Sequence, residues 1–155
     1  GPGNEYVTEA KRQVFGYSDI DMLAGPSEVL ILANQYANPS YIIKDLMAQS
    51  EHRKGLSILV TPSKRLAKIV KREVEKGYLI LTKNMEQAID IANQFAPEHL
   101  QIIVKNPRKV LKGIKNAGAI FIGPYTPVTV GDYVAGPSHV LPTGGTARFF
   151  SGLGV

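Results

Sequence analysis

A chain of 155 residues with 44% hydrophobic and 20% charged residues has the size and composition of one globular domain, which excludes a disordered or fibrous chain. No stretch approaches the roughly 20 apolar residues of a membrane helix. Cysteine is absent, which excludes disulfides, thiolate catalysis, iron–sulfur clusters and cysteine-ligated zinc.

The net charge of +5 comes from runs spaced like helix faces. Lys64, Arg65, Lys68, Lys71 and Arg72 form one, and Lys105, Arg108, Lys109, Lys112 and Lys115 another. Solvated faces are the plain reading, and no aromatic residue interleaves with them as a nucleic-acid surface requires. No nucleic acid and no membrane are therefore expected as partners. The opening Gly1-Pro2-Gly3-Asn4 has no basic-then-apolar leader pattern, and together with the missing cysteines it leads us to expect a cytoplasmic protein.

In chain order, a helix is expected from near Val7. Glu28–Ala33 reads as a buried strand, and Asn38-Pro39 as an N-cap with proline at the first helical position. That helix is expected to reach about His52, with Ile42, Ile43, Leu46 and Met47 inward. Leu56–Thr61 is a second strand. Ser63 caps a helix with Leu66, Ile69, Val70 and Val74 on one side, ended by Gly77. Tyr78–Thr82 is a third strand, followed by a helix capped by Asn84. Leu100–Val104 is a fourth strand, and Asn106-Pro107 repeats the cap signal. Ala119–Ile122 is the fifth strand. Strand and helix alternating at this spacing predict an α/β fold: one Rossmann-like, mostly parallel five-stranded sheet with helices on both faces. Residues 1–122 carry this pattern. Residues 123–155 hold seven of the 15 glycines and read as a loop-rich, site-forming segment of the same domain. Ala24-Gly25-Pro26-Ser27 recurs as Ala135-Gly136-Pro137-Ser138, which independent Gly-Pro turns also explain.

The histidines carry most of the candidate chemistry. Gln49 and His52 are three residues apart at a helix end, so an amide oxygen and an imidazole face one way. A polar helix C-terminus, which favours a histidine, gives the same pattern. Glu98-His99 places a carboxylate beside a group that exchanges protons near neutral pH. Adjacent strand residues point oppositely, so only an irregular backbone aims both at one substrate. Asp132 in a Gly-flanked loop, seven residues before His139, is either a turn former or a hard metal ligand. The backbone of residues 1–4 ahead of a helix is a candidate phosphate cradle. No G-x-G-x-x-G, P-loop or Ser-His-Asp order is legible.

The strings GPGNEYVTEAKRQV (1–14), IDMLAGPSEVLILA (20–33), ANPSYIIKDLMAQSEH (37–52), APEHL (96–100) and AGAIFIGPYTPVTVGDYVAGPSHVLPTGGTARF (117–149) together resemble histidinol dehydrogenase, nearly end to end and in family order. The resemblance implies an NAD-dependent zinc enzyme that oxidises L-histidinol through histidinaldehyde to L-histidine, the last steps of histidine biosynthesis. It implies Gln49, His52 and Asp132 as zinc ligands that also bind substrate, with Glu98 and His99 as the acid/base pair. His99 takes the alcohol proton and Glu98 activates water. Ser27 and His139 are implied as substrate contacts, Asn4 as an NAD contact, and a homodimer as the working state.

The family is more than twice this length and has a longer helical insertion between Lys76 and Tyr78. The chain is therefore expected to be the central catalytic portion. It would lack most NAD contacts and a partner-supplied histidine that completes the zinc site, and would be inactive alone. An engineered or excised non-catalytic Rossmann-like domain is the alternative reading. Ser27, His52 and Glu98-His99 all precede strands, whereas ligands of open α/β sheets gather beyond the carboxyl ends.

Overall fold

The apolar runs become strands wherever they are short, β-branched and bounded by polar turns. In the computed structural model, which describes residues 4–51, 54–136, 138 and 140–152 without the Asp132 side chain, five strands form. They are β1 (Glu28–Ala33), β2 (Leu56–Thr61), β3 (Tyr78–Leu81), β4 (His99–Ile103) and β5 (Ala119–Ile122). All pair in parallel in the order β3-β2-β1-β4-β5. The chain winds outward from β1 to one edge, then crosses back to place β4 on its other side. β1 is buried at every position, as its unbroken apolar sequence demands of a central parallel strand.

Helices cover both faces, as expected. α2 (Pro39–Ser50) and α3 (Lys64–Glu73) lie on one, where Ile42, Leu46, Leu66 and Val70 pack with Val29, Ile31 and Ile103. α4 (Met85–Phe95) and α5 (Pro107–Leu111) lie on the other, with Ala88, Ala92 and Val110 against Leu30, Leu32, Leu100 and Ile102. The caps follow the sequence signals at three helices. Asn38 Oδ1 accepts the Ser40 N–H at 3.0 Å, Ser63 Oγ that of Leu66 at 3.2 Å, and Asn84 Oδ1 that of Gln87 at 2.9 Å. The two basic runs are solvent-exposed.

Several local expectations are corrected. α1 (Glu5–Val14) starts two residues before Val7, because Asn4 Oδ1 accepts the N–H groups of both Tyr6 and Val7 at 3.1 Å. α2 ends at Ser50, short of His52, and Met47 on it is half exposed. α3 ends at Glu73, where the Val74 N–H bonds the Val70 carbonyl, and not at Gly77. Gly77 instead opens β3 at φ +126°, and a Cβ there would stand 2.5 Å from Ser57 Oγ on β2. Asn106 makes no side-chain cap bond, and α5 spans only five residues. The segment after Ile122 holds a short helix, α6 (Val128–Tyr133), and a 3₁₀ turn over Thr146–Arg148.

Candidate functional site

Parallel pairing of β1 with β4 sets Val29 opposite His99, so the amino ends of the two central strands lie side by side. Three titratable side chains are buried there: Glu28, Glu98 and His99 are 8%, 6% and 4% exposed. Burial of such groups is tolerated only with partners, and the partners are one another's backbone. Glu98 Oε2 accepts the Glu28 N–H at 2.8 Å, and Glu28 Oε2 accepts the Glu98 N–H at 3.3 Å. His99 Nδ1 lies 3.0 Å from the Glu28 carbonyl oxygen and 3.4 Å from Glu98 Oε2. A carbonyl only accepts, so Nδ1 carries the proton, and in the neutral ring Nε2 holds the basic lone pair. Burial pushes the Glu28 carboxyl above its usual range; the Gly144 and Glu98 amides pull the other way.

The expectation that only irregular backbone aligns Glu98 with His99 has a concrete form here. Glu98 lies just before β4 begins, outside the strict alternation of the strand. Ala96, two residues earlier, takes a left-handed φ of +53° as the C-cap of α4.

His99 shares the α2-covered face of the sheet with its partner Val29, and with Gln101 and Phe121. Its ring lies 5.9 Å from that of Phe121, centroid to centroid. α6 packs directly over Phe121. A Cβ on Gly131 would stand 2.7 Å from the Phe121 ring, so only glycine fits. Between α2 and α6 lies a cavity of about 410 Å³, lined by Val29, Asp45, Gln49, Thr129 and Tyr133 among others. Gln49 is 6% exposed, and its Nε2 has no hydrogen-bond partner. Gln101 Nε2 donates to Asp45 Oδ2 at 2.9 Å, leaving Gln101 Oε1 buried without a partner. Burial pushes the Asp45 carboxyl upward, against the Gln101 donor.

The fold thus brings Gln49, His99 and the helix that carries Asp132 to one face of the sheet. His52, His139 and the Asp132 side chain lie outside the described residues. Ser27 stands half-buried immediately before β1, its carbonyl accepting the Leu56 N–H at 2.9 Å. Asn4 lines a separate cavity of about 510 Å³ beside Thr8, Gly25 and Lys54. Its amide oxygen is taken by the α1 cap, accepting the N–H groups of Tyr6 and Val7, and residues 1–3 of the candidate phosphate cradle lie outside the described residues. No group of three or more His, Cys, Asp or Glu that could hold a metal stands among the described residues.

Sequence reasoning passed over Glu28, Asp45 and Gln101. Each carried a signal. Glu28 directly follows Ser27, Asp45 sits one helical turn before Gln49, and Gln101 is a lone amide inside the apolar run LQIIV.

Comparison with known proteins gives one family. The histidinol dehydrogenase family profile matches residues 1–155. Relatives described as histidinol dehydrogenase from Heliobacterium mobile and from Aquifex aeolicus are each 49% identical over 174 positions. These alignments cover the whole chain and 41% of each relative, so the chain spans about two fifths of the length of the proteins it matches. They run 19 positions beyond this chain's 155 residues, so the relatives carry sequence within the matched region that this chain does not. The crystal structure of histidinol dehydrogenase from Elizabethkingia anophelis superposes with a TM-score of 0.90 at 35% identity, over 99% of this chain and 40% of that one.

Proposed function

The chain belongs to the histidinol dehydrogenase family of oxidoreductases, and from that premise we propose that its buried Glu98–His99 pair serves the NAD-linked oxidation of L-histidinol, through the aldehyde, to L-histidine. The observation that carries the reading is the 3.0 Å contact between His99 Nδ1 and the Glu28 carbonyl oxygen. With Nδ1 committed to the Glu28 carbonyl, the ring offers Nε2 as the general base. In the first oxidation His99 Nε2 takes the hydroxyl proton as the carbon gives up its hydride. In the second, Glu98 takes a proton from the water that adds to the aldehyde carbon, and the hydrate so formed gives up its hydride as the alcohol did.

Gln49 fits a metal ligand: it is buried on the cavity with an unsatisfied amide, and a half-turn of that amide exchanges nitrogen for a carbonyl oxygen. With His52 and Asp132 it would hold zinc. Bound zinc would supply an anchor for the substrate's nitrogens, and bound NAD⁺ the hydride acceptor. Ser27 and His139 contact the substrate in this reading, and Asn4 turns its amide nitrogen toward the dinucleotide. The segment 123–155 is site-forming in this reading, and a second copy of the protein completes the site. The alternative, a non-catalytic domain, would keep these three buried groups for their backbone hydrogen bonds alone.

The test joins this chain to the flanking regions of a relative and follows histidinol-dependent NADH formation. His99→Gln is expected to lower the rate by about 10²–10⁴-fold, the usual contribution of a general base. A rate indifferent to His99→Gln would overturn the reading.

A further inference from the structure

We infer that Glu28 is a positioning residue for the Glu98–His99 pair: its backbone aims both side chains, and its carboxylate locks that backbone to the loop at Thr143–Gly144. The inference rests on the proposed role of the pair but adds a residue that neither touches substrate nor moves a proton.

Glu28 makes four of the contacts that define this rim. Its N–H donates to Glu98 Oε2 at 2.8 Å, which orients the Glu98 carboxylate. Its carbonyl accepts from His99 Nδ1 at 3.0 Å, which selects the tautomer. Its own carboxylate divides between two amides: Oε2 takes the Glu98 N–H at 3.3 Å and Oε1 the Gly144 N–H at 3.0 Å. Gly144 lies 116 residues away in sequence, in the segment that leads from α6. The same loop is tied a second time, because Thr143 Oγ1 accepts the Gly25 N–H. Thr143 is itself buried. Gly25 and Glu28, which bracket Pro26 and Ser27, are therefore both fastened to one distant loop.

The chemistry requires a carboxylate at position 28. Both partners of its oxygens are N–H donors, so two acceptors are needed. Glutamine has the same shape but only one acceptor, and would turn its NH₂ against one of the two amides. An apolar residue would leave both donors buried and unsatisfied. If the loop undocks, the β1 backbone loses its brace, and the Nδ1–carbonyl contact that holds the His99 tautomer is no longer fixed.

The experiment uses ¹⁵N-labelled chain. Long-range imidazole correlations report the His99 tautomer, and amide exchange reports Gly144 and Glu98. In the unaltered chain His99 should show the Nδ1–H tautomer and Gly144 should be protected. In Glu28→Gln, Gly144 protection should fall by about 10- to 100-fold, as expected for losing a charge-assisted bond, and the Nε2–H tautomer should appear. A folded Glu28→Gln chain with unchanged tautomer and unchanged Gly144 exchange overturns the inference. If that variant does not fold, Thr143→Val releases the loop from its other tie. A loosened loop with the tautomer unmoved then overturns the inference, and a shifted tautomer supports it. None of these readouts needs turnover, so failure here is separate from failure of the His99 rate test.

Discussion

The two ends of the β1–β4 seam are built from different material. At the amino rim, Glu28, Glu98 and His99 are all less than a tenth exposed and are bonded to one another's backbone. At the carboxyl rim, a cavity of about 570 Å³ opens between Asn34, Tyr36, Lys105 and Lys109 over Met85 and Ile89. Its polar groups stand in solvent: Tyr36 is 61% exposed, and Lys105 reaches over its ring with Nζ 5.1 Å from the centroid. The carboxyl rim, where the strand order turns, is where a doubly wound sheet usually binds its ligand. Yet desolvating titratable groups costs free energy, and functional sites are where such clusters concentrate. The contrast supports our proposal that catalysis belongs to the amino rim: the fold offers positions, and particular side chains decide which is used.

The largest test of that contrast is catalytic. In the joined enzyme, Glu98→Gln keeps an acceptor for the Glu28 N–H but loses the base. Oxidation of the aldehyde should fall by about 10²–10⁴-fold. Lys109→Ala on the carboxyl rim should leave the same rate unchanged. Equal losses from both variants would erase the distinction between the rims.

Much of the scaffold was legible in the sequence because its signals are local. The β1 and β2 boundaries, the caps at Asn38, Ser63 and Asn84, and the parallel five-stranded sheet all follow from short-range pattern. What was not legible depends on distant contacts. The irregular turn that aligns Glu98 with His99 was named as a requirement, but its partner, the Glu28 backbone, is 70 residues away. Gly77 looked like a helix stop, and its actual constraint is the approach to Ser57 across a strand pair. The role of Glu28 was hidden because its carboxylate bonds a loop 116 residues on. Gln49 and His99 were singled out by residue type and family pattern, while the face they share with α6 comes from register alone.

A smaller effect compares the rims at the two ends of one strand. Gly118 precedes β5 and Gly123 follows it. A Cβ at Gly118 would stand 2.6 Å from the Glu98 carbonyl oxygen and 3.2 Å from Pro142, so the backbone beneath the Glu98–His99 pair must shift. Gly123 has open space around it but a φ of +93°. Gly118→Ala should cost about 1–3 kcal/mol by overpacking, and Gly123→Ala about 1–2 kcal/mol by backbone strain. Denaturant unfolding measures both. The His99 ring resonances separate them, since they should move in Gly118→Ala and stay in Gly123→Ala. A disturbed His99 in both variants would mean that the two ends of β5 are mechanically one.

The smallest expected effect is the pH dependence of stability left by the buried carboxyl of Glu28. Its folded pKa lies above the value of 4.5 it has when exposed, because burial outweighs the Gly144 and Glu98 amides. The native state therefore binds this proton more tightly than the unfolded chain does. Between pH 4.5 and the raised folded value, native molecules hold more protons, and stability falls as pH rises through that window. Below 4.5 the penalty is absent, and above the folded value it is complete. Asp45, raised by its own burial, acts in the same direction. Asp21, held down to about 2 by Lys11, acts in the opposite one, its contribution being lost as pH falls through about 2. The difference between the unaltered chain and Glu28→Gln isolates the one group. As pH is lowered from about 7 toward 4.5, the unaltered chain should gain stability relative to Glu28→Gln. The slope cannot exceed about 1.4 kcal/mol per pH unit for a single proton. Denaturant midpoints across that range supply the measurement. A flat difference would mean that the Glu28 carboxyl is held by its two amides at its ordinary affinity for protons, and that the amino rim bears no net cost for burying its charge.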